Sequence, residues 1–151
     1  MDKYILKNND FFISKKIKIN FFGEKKNLNK LTKKILEDTE SKFSFKNPEI
    51  TINIAFNYSS KKEILFSIKK IFKEKLPINV KNLNKNLYTG KYQNPDILIR
   101  TGGQQRLSDF MLLQLAYTEF FFLKKLWPDF STNDLDKIIS KFTLIKRNYG
   151  T

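Results

Sequence analysis

The sequence contains no cysteine and no histidine among its 151 residues, and only three arginines. Without Cys there is no disulfide, no thiolate nucleophile, no iron–sulfur cluster and no thiolate zinc site. Without His there is no imidazole general base and no Ser-His-Asp or Cys-His triad. Any catalysis must then rest on carboxylates, Lys or Arg cations, hydroxyls, backbone amides or a hard metal, a set suited to phosphate chemistry. Long apolar runs are also missing. No stretch approaches the roughly 18 consecutive apolar residues of a membrane-spanning helix, and residues 1–10 carry no signal-peptide core. A cytosolic protein is expected.

Positive charge is abundant. Lys and Arg number 29 against 15 Asp and Glu, a formal charge of +14. A domain this basic attracts polyanions at low salt, which keeps an RNA- or polyanion-binding protein among the readings. The lysines, however, are spread along the whole chain, as solvated faces are, and the Phe and Tyr residues fall at core spacings. Arginine is more informative because it is scarce. Arg100 and Arg106 stand six residues apart, beside Gly102-Gly103. Their guanidinium groups offer the rigid fork of donors used for carboxylate and phosphate recognition, which Lys lacks.

With 15% aromatic and 40% hydrophobic residues the chain can build a core. Residues 1–16 read as a helix end and a connector. Residues 17–22, 49–58, 96–100 and 120–123 read as strands. Residues 27–43, 60–76, 79–88, 109–118 and 132–142 read as helices. Ser59-Ser60 can cap the helix that follows, with Glu63 at capping-box spacing from Ser60. Ser108 is placed to cap helix 109–118, which is apolar nearly all round and is expected to be buried. Strands alternating with helices predict an α/β fold, a mostly parallel sheet covered by helices on both faces, in a single domain over residues 1–151.

Ligands of such sheets bind beyond the carboxyl ends of the strands. The segment Ile97-Leu98-Ile99-Arg100-Thr101-Gly102-Gly103-Gln104-Gln105-Arg106-Leu107-Ser108 lies there. Two Arg, a Gly-Gly turn and a helix start at Ser108 can together hold a diphosphate. The competing reading is a surface turn with a capping Ser.

Residues 96–150 resemble the cis-prenyltransferases, the undecaprenyl (polyprenyl) diphosphate synthase family. Four segments carry the resemblance in order: Asp96 to Gly103, Gln105 to Phe110, Gln114 to Glu119 and Leu126 to Phe130. Weaker similarity reaches back through Asn53–Tyr58 and Ile19–Glu24. The resemblance implies a Mg²⁺-dependent transferase that condenses isopentenyl diphosphate onto an allylic prenyl diphosphate. Its membrane-associated polyprenyl product would serve as a lipid carrier. It also implies that Arg100, Arg106 and Ser108 grip the diphosphate of isopentenyl diphosphate and that Glu119 is a Mg²⁺-linked carboxylate. A helix over 109–118 would set Ser108 and Glu119 about 15 Å apart at 1.5 Å per residue, which suggests a homodimer in which a second copy supplies one of them.

The departures are specific. The family's opening Asp-Gly-Asn-Gly-Arg-Trp strand end, which binds the allylic diphosphate, is absent, and so is its Ser-Glu-Asn-Trp region, so no catalytic residue is identifiable. The first strands of the sheet are missing from this chain, and an exposed sheet edge or apolar face is expected. Gln104 stands where an acid is usual, Gln105 where some members have His, Asp109 where Asn is usual and Leu113 where Trp is common. Ser59-Ser60-Lys61 replaces Gly-Gly-Arg. Asn148-Tyr149-Gly150, next to Arg147, replaces an Arg-x-Gly motif. Two readings follow: a synthase that is inactive or weak alone, and a non-catalytic subunit that partners a complete synthase.

Overall fold

The computed structural model describes residues 8–147. The readings for residues 1–7 and for Asn148-Tyr149-Gly150 lie outside them. Contacts divide the chain into two compact units, Met1–Gly90 and Lys91–Thr151.

The first unit runs α1 (Asn9–Ser14), β1 (Ile17–Phe22), α2 (Lys30–Lys42), β2 (Ile50–Ala55), α3 (Ser60–Lys73) and α4 (Val80–Asn86). β1 and β2 pair in parallel, from Ile17 opposite Ile50 to Phe22 opposite Ala55. Ile19 and Phe21 of β1, Leu36 of α2 and Phe43 form the buried core, with Phe12, Ile54 and Phe56 packed against it. α2 starts where Asn29 accepts from the Thr32 amide at 2.7 Å, the side-chain cap that orphaned first-turn amides require.

The other edge of β1 is occupied by its own chain. The Ile19 N–H donates to the Phe43 carbonyl at 3.3 Å, and the Phe21 N–H to a Glu40 carboxylate oxygen at 2.7 Å. On β2, Ile50 is 55% and Ile52 37% exposed. β1 ends at Gly23, with φ +123°, where a Cβ would lie 2.1 Å from the Phe56 carbonyl oxygen. Only glycine meets both conditions.

Ser60 and Glu63 do not form the expected capping box. Of the two candidate serines Ser59 is the cap, its hydroxyl accepting from the Lys62 amide at 3.3 Å. Glu63 turns inward and is fully buried. One of its oxygens accepts from the Thr89 amide at 2.8 Å and the Thr89 hydroxyl at 2.9 Å. The other accepts from the Tyr58 hydroxyl at 2.6 Å. The carboxylate thus ties the start of α3 to the strands' exit and to the segment after α4.

The second unit runs β3 (Ile97–Arg100), β4 (Glu119–Phe122), a 3₁₀ turn (Trp127–Asp129) and α5 (Thr132–Phe142). β3 and β4 are parallel, Ile97 opposite Glu119 and Arg100 opposite Phe122. The class is α/β with parallel strands, as the alternation predicts, and hydrogen bonding places two strands in each unit.

Helix 109–118 does not form. The chain turns repeatedly there, with left-handed φ at Ser108 (51°), Asp109 (62°) and Met111 (48°). Such residues interrupt the right-handed φ/ψ repeat. Gln114 and Leu115 are buried, whereas Phe110, Leu112, Leu113 and Tyr117 are exposed. An all-round apolar pattern signals a need for burial and leaves the backbone conformation open.

α5 carries the capping box that Ser60 lacks. The Ser131 hydroxyl accepts from the Asp134 amide and the Asp134 carboxylate accepts from the Ser131 amide. Lys125 Nζ lies 2.8 Å from both Asp134 oxygens. Lys125 first, and then Ser131, hold the Asp134 carboxyl well below the usual carboxylate range. A carboxyl depressed on folding stabilises the fold above its unfolded pKa of about 3.9. That contribution is lost as pH falls further, toward the folded value. The helical signal of α5 is expected to fray only in strong acid, and Asp134→Asn to remove that acid-dependent step. An identical acid limb for the variant in far-UV circular dichroism would refute this.

Candidate diphosphate-binding site

The site grows from the end of β3. Arg100 is the last residue of the strand, and its carbonyl accepts from the Leu123 amide at 2.8 Å, just beyond β4. Gly102 and Gly103 follow with φ of +89° and +75°. Their amides donate to the carbonyls of Lys125 (2.7 Å) and Leu123 (2.8 Å). The glycine pair therefore fastens the loop to the exit of β4, and its N–H groups are engaged there instead of facing an anion. A Cβ at Gly102 would meet nothing within 4 Å, so conformation alone favours glycine at that position.

The guanidinium of Arg100 reaches along this loop. Its Nη1 donates to the Arg106 carbonyl and to the Ser108 hydroxyl at 3.2 Å. Arg106 Nη1 in turn donates to Gln104 Oε1 at 2.8 Å. Arg100, Arg106 and Ser108, separated by up to eight positions in sequence, are thus brought together. Beside them lies a cavity of about 210 Å³, with Leu98, Ile99, Leu107 and Phe110 as its apolar lining.

The cluster differs from the sequence reading in one respect. Ser108 is not a helix cap, so no helix dipole contributes there. The groups brought together are two guanidinium groups and one hydroxyl. The Gln at 104 offers Arg106 a neutral partner, which competes with an incoming phosphate less than a carboxylate would.

Glu119 is placed elsewhere. It opens β4 opposite Ile97, and its amide donates to the Asp96 carbonyl at 3.0 Å. Arg100 lies three positions further along the ladder, about 10 Å at 3.3 Å per residue. Glu119 and Arg100 therefore stand at opposite ends of the β3–β4 ladder. Among the described residues no group of three His, Cys, Asp or Glu side chains could hold a metal ion.

Arg147, read from the sequence only as a neighbour of a missing motif, is a fastening residue. Its guanidinium contacts Asp96 at 2.5 Å, donates to the Tyr117 carbonyl at 2.9 Å and lies over the Phe142 ring at 5.5 Å. It thereby joins the segment after α5 to the start of β3. Its scarcity among 26 lysines was the signal that could have singled it out.

The model of the prenyltransferase family described as undecaprenyl diphosphate synthase matches residues 1–150. The chain belongs to that family. An isoprenyl transferase of Fusobacterium nucleatum is 36% identical over 149 residues, 98% of this chain and 64% of the relative. The chain thus spans just under two thirds of that relative's length. A crystal structure of a probable undecaprenyl diphosphate synthase from Campylobacter jejuni superposes with a TM-score of 0.87 at 25% identity, covering 99% of this chain and 71% of that one. Lavandulyl diphosphate synthase from Lavandula x intermedia, solved with dimethylallyl diphosphate, gives 0.87 at 27% identity, with 97% and 67% covered. No helix among the described residues is long and apolar enough to cross a membrane.

Proposed function

We propose that this chain provides the isopentenyl diphosphate-binding part of a cis-prenyltransferase, which condenses isopentenyl diphosphate onto an allylic prenyl diphosphate to build a polyprenyl diphosphate. The observation that carries the reading is the convergence of Arg100, Arg106 and Ser108 beside an apolar cavity of about 210 Å³. Two guanidinium forks take the diphosphate oxygens, the Ser108 hydroxyl donates a further bond, and Leu107 and Phe110 line the space for the isopentenyl group. Fixing the diphosphate fixes the orientation of the attached five-carbon unit, which is the chain's own contribution to the reaction. Titration calorimetry with isopentenyl diphosphate tests this: one saturable site is expected, and isopentenyl phosphate should bind at least tenfold more weakly. Equal affinity for the two would overturn the diphosphate assignment.

Glu119 enters the proposal as a Mg²⁺ carboxylate offered to the diphosphate of a second copy of the chain, because Arg100 of its own chain stands at the other end of the ladder. Glu119→Gln keeps the shape and an acceptor oxygen while losing the charge a hard cation prefers. The variant is expected to lose the Mg²⁺-dependent gain in diphosphate affinity while its metal-free binding changes less than twofold. Binding and stability that are unchanged with and without Mg²⁺ would leave Glu119 an ordinary strand-end carboxylate.

A further inference from the structure

α3 is built inside out. Its buried residues are Ser60, Glu63, Ser67 and Ile71, and the first three are polar with no exposed surface. Their polar groups are engaged by neighbours: Glu63 holds Tyr58 and Thr89, and Ser67 holds the Leu83 carbonyl. The large apolar residues turn outward instead. Leu65, Ile68 and Phe72 are 55%, 38% and 66% exposed, and at i, i+3 and i+7 they share one face of the helix. A single exposed leucine carries no meaning, whereas an apolar stripe outside a polar interior marks a contact surface.

Lysine accompanies the stripe. With ~3.6 residues per turn, Lys61 falls between Ile68 and Phe72, and Lys69, Lys62 and Lys73 follow Leu65 round the helix. All four are exposed. The one acidic residue of α3 is the buried Glu63, so its outward face carries cations and no anion. Acids from outside α3 reach two of its lysines: Glu24 lies 2.8 Å from Lys62, and Glu74 lies 3.9 Å from Lys70. Lys61, Lys69 and Lys73 remain beside the apolar stripe. A bilayer with anionic headgroups matches both features. Apolar side chains reach the acyl boundary, while lysine stems lie along it and their ammonium groups stay among the headgroup phosphates. At ~1.5 Å per residue α3 is about 21 Å long, too short to cross a hydrocarbon core of about 30 Å, so it would lie along the surface.

We propose that the outward face of α3 docks the chain on an anionic lipid surface, with Leu65, Ile68 and Phe72 inserted and Lys61, Lys69 and Lys73 among the headgroup phosphates. Flotation of the intact chain with lipid vesicles reads this. At 0.1 M salt, vesicles of phosphatidylglycerol and phosphatidylcholine in equal parts are expected to carry at least ten times as much protein as vesicles of phosphatidylcholine alone. Leu65→Ser/Phe72→Ser leaves the charge unchanged and should lower binding to the anionic vesicles at least tenfold. Leu126→Ser/Leu144→Ser, which removes exposed apolar residues of the second unit, should change it less than twofold. Lys61→Gln/Lys73→Gln should weaken binding at least fivefold, against less than twofold for Lys30→Gln/Lys34→Gln, which removes the same charge from exposed positions of α2. Ile68→Cys, the only thiol in a chain without cysteine, can carry a polarity-sensitive dye. Its emission should shift to the blue on anionic vesicles, and that of the same dye on Leu126→Cys should not. No flotation, equal flotation with both lipids, a serine variant that floats like the parent, or a dye at position 68 that does not shift would each overturn the proposal. Loss of self-association in the serine variant with vesicle binding intact would overturn it too, and make the stripe a protein contact. Isopentenyl diphosphate binding at the Arg100 loop is independent of each of these outcomes.

Discussion

Arg100→Lys and Arg106→Lys are each expected to weaken isopentenyl diphosphate binding by ten- to a hundredfold, although the net charge is unchanged. The geometry gives the reason. Arg100 already uses one terminal nitrogen to hold the Arg106 carbonyl and the Ser108 hydroxyl, and the rest of its fork remains for a phosphate. A lysine ammonium is a point charge at the end of a flexible stem and cannot do both tasks in one geometry. Charge-assisted hydrogen bonds contribute about 1.5–3 kcal/mol each, and about 1.4 kcal/mol is a factor of ten in affinity. Arg100→Lys should be the more damaging of the two, because it also releases the loop that carries Arg106 and Ser108. With a formal charge of +14, non-specific attraction is the alternative, and salt separates the two effects. Exposed charges are screened within about 8 Å at physiological ionic strength. The difference between parent and variant should therefore persist at 0.5 M salt by calorimetry. Equal affinities at high salt would remove the specific site.

The sequence made the Arg100–Ser108 cluster legible because the signal was chemical. Arg is scarce in a Lys-rich chain, so each one marks a place where a fork is needed. The strands at 17–22, 50–55 and 97–100 and the last helix were equally legible, from β-branched runs and from 3–4 spacing. The segment 109–118 was misread because apolar content reports burial, whereas its conformation is set by left-handed residues at Ser108, Asp109 and Met111 that no periodicity reveals. Glu63 shows the same limit. Three positions after a serine it reads as a local cap, while its partners Tyr58 and Thr89 lie five residues back and 26 residues ahead.

That buried carboxylate leads to the largest expected effect on stability. Glu63→Ala is expected to destabilise the first unit by on the order of 3–5 kcal/mol, since loss of one acceptor in a buried network costs about 1–3 kcal/mol for each group it served. The Thr89 amide, the Thr89 hydroxyl and the Tyr58 hydroxyl all donate to Glu63. Water cannot readily replace the lost oxygens, because Glu63, Ser60 and Ser67 all have no exposed surface. The packing around them is directional as well, with Ser67 donating to the Leu83 carbonyl at 2.7 Å and so holding α3 to α4. Glu63→Gln should cost less, about 1–2 kcal/mol, since its amide oxygen can serve Thr89 while its NH₂ meets the Tyr58 oxygen as a donor. Tyr58→Phe removes one donor together with its need for an acceptor, and so should cost least. The order Ala, Gln, then Tyr58→Phe is the test, read as midpoints of urea unfolding followed by far-UV circular dichroism. If Glu63 were merely a first-turn carboxylate aiding α3, Ala and Gln would both fall within about 1 kcal/mol of the parent.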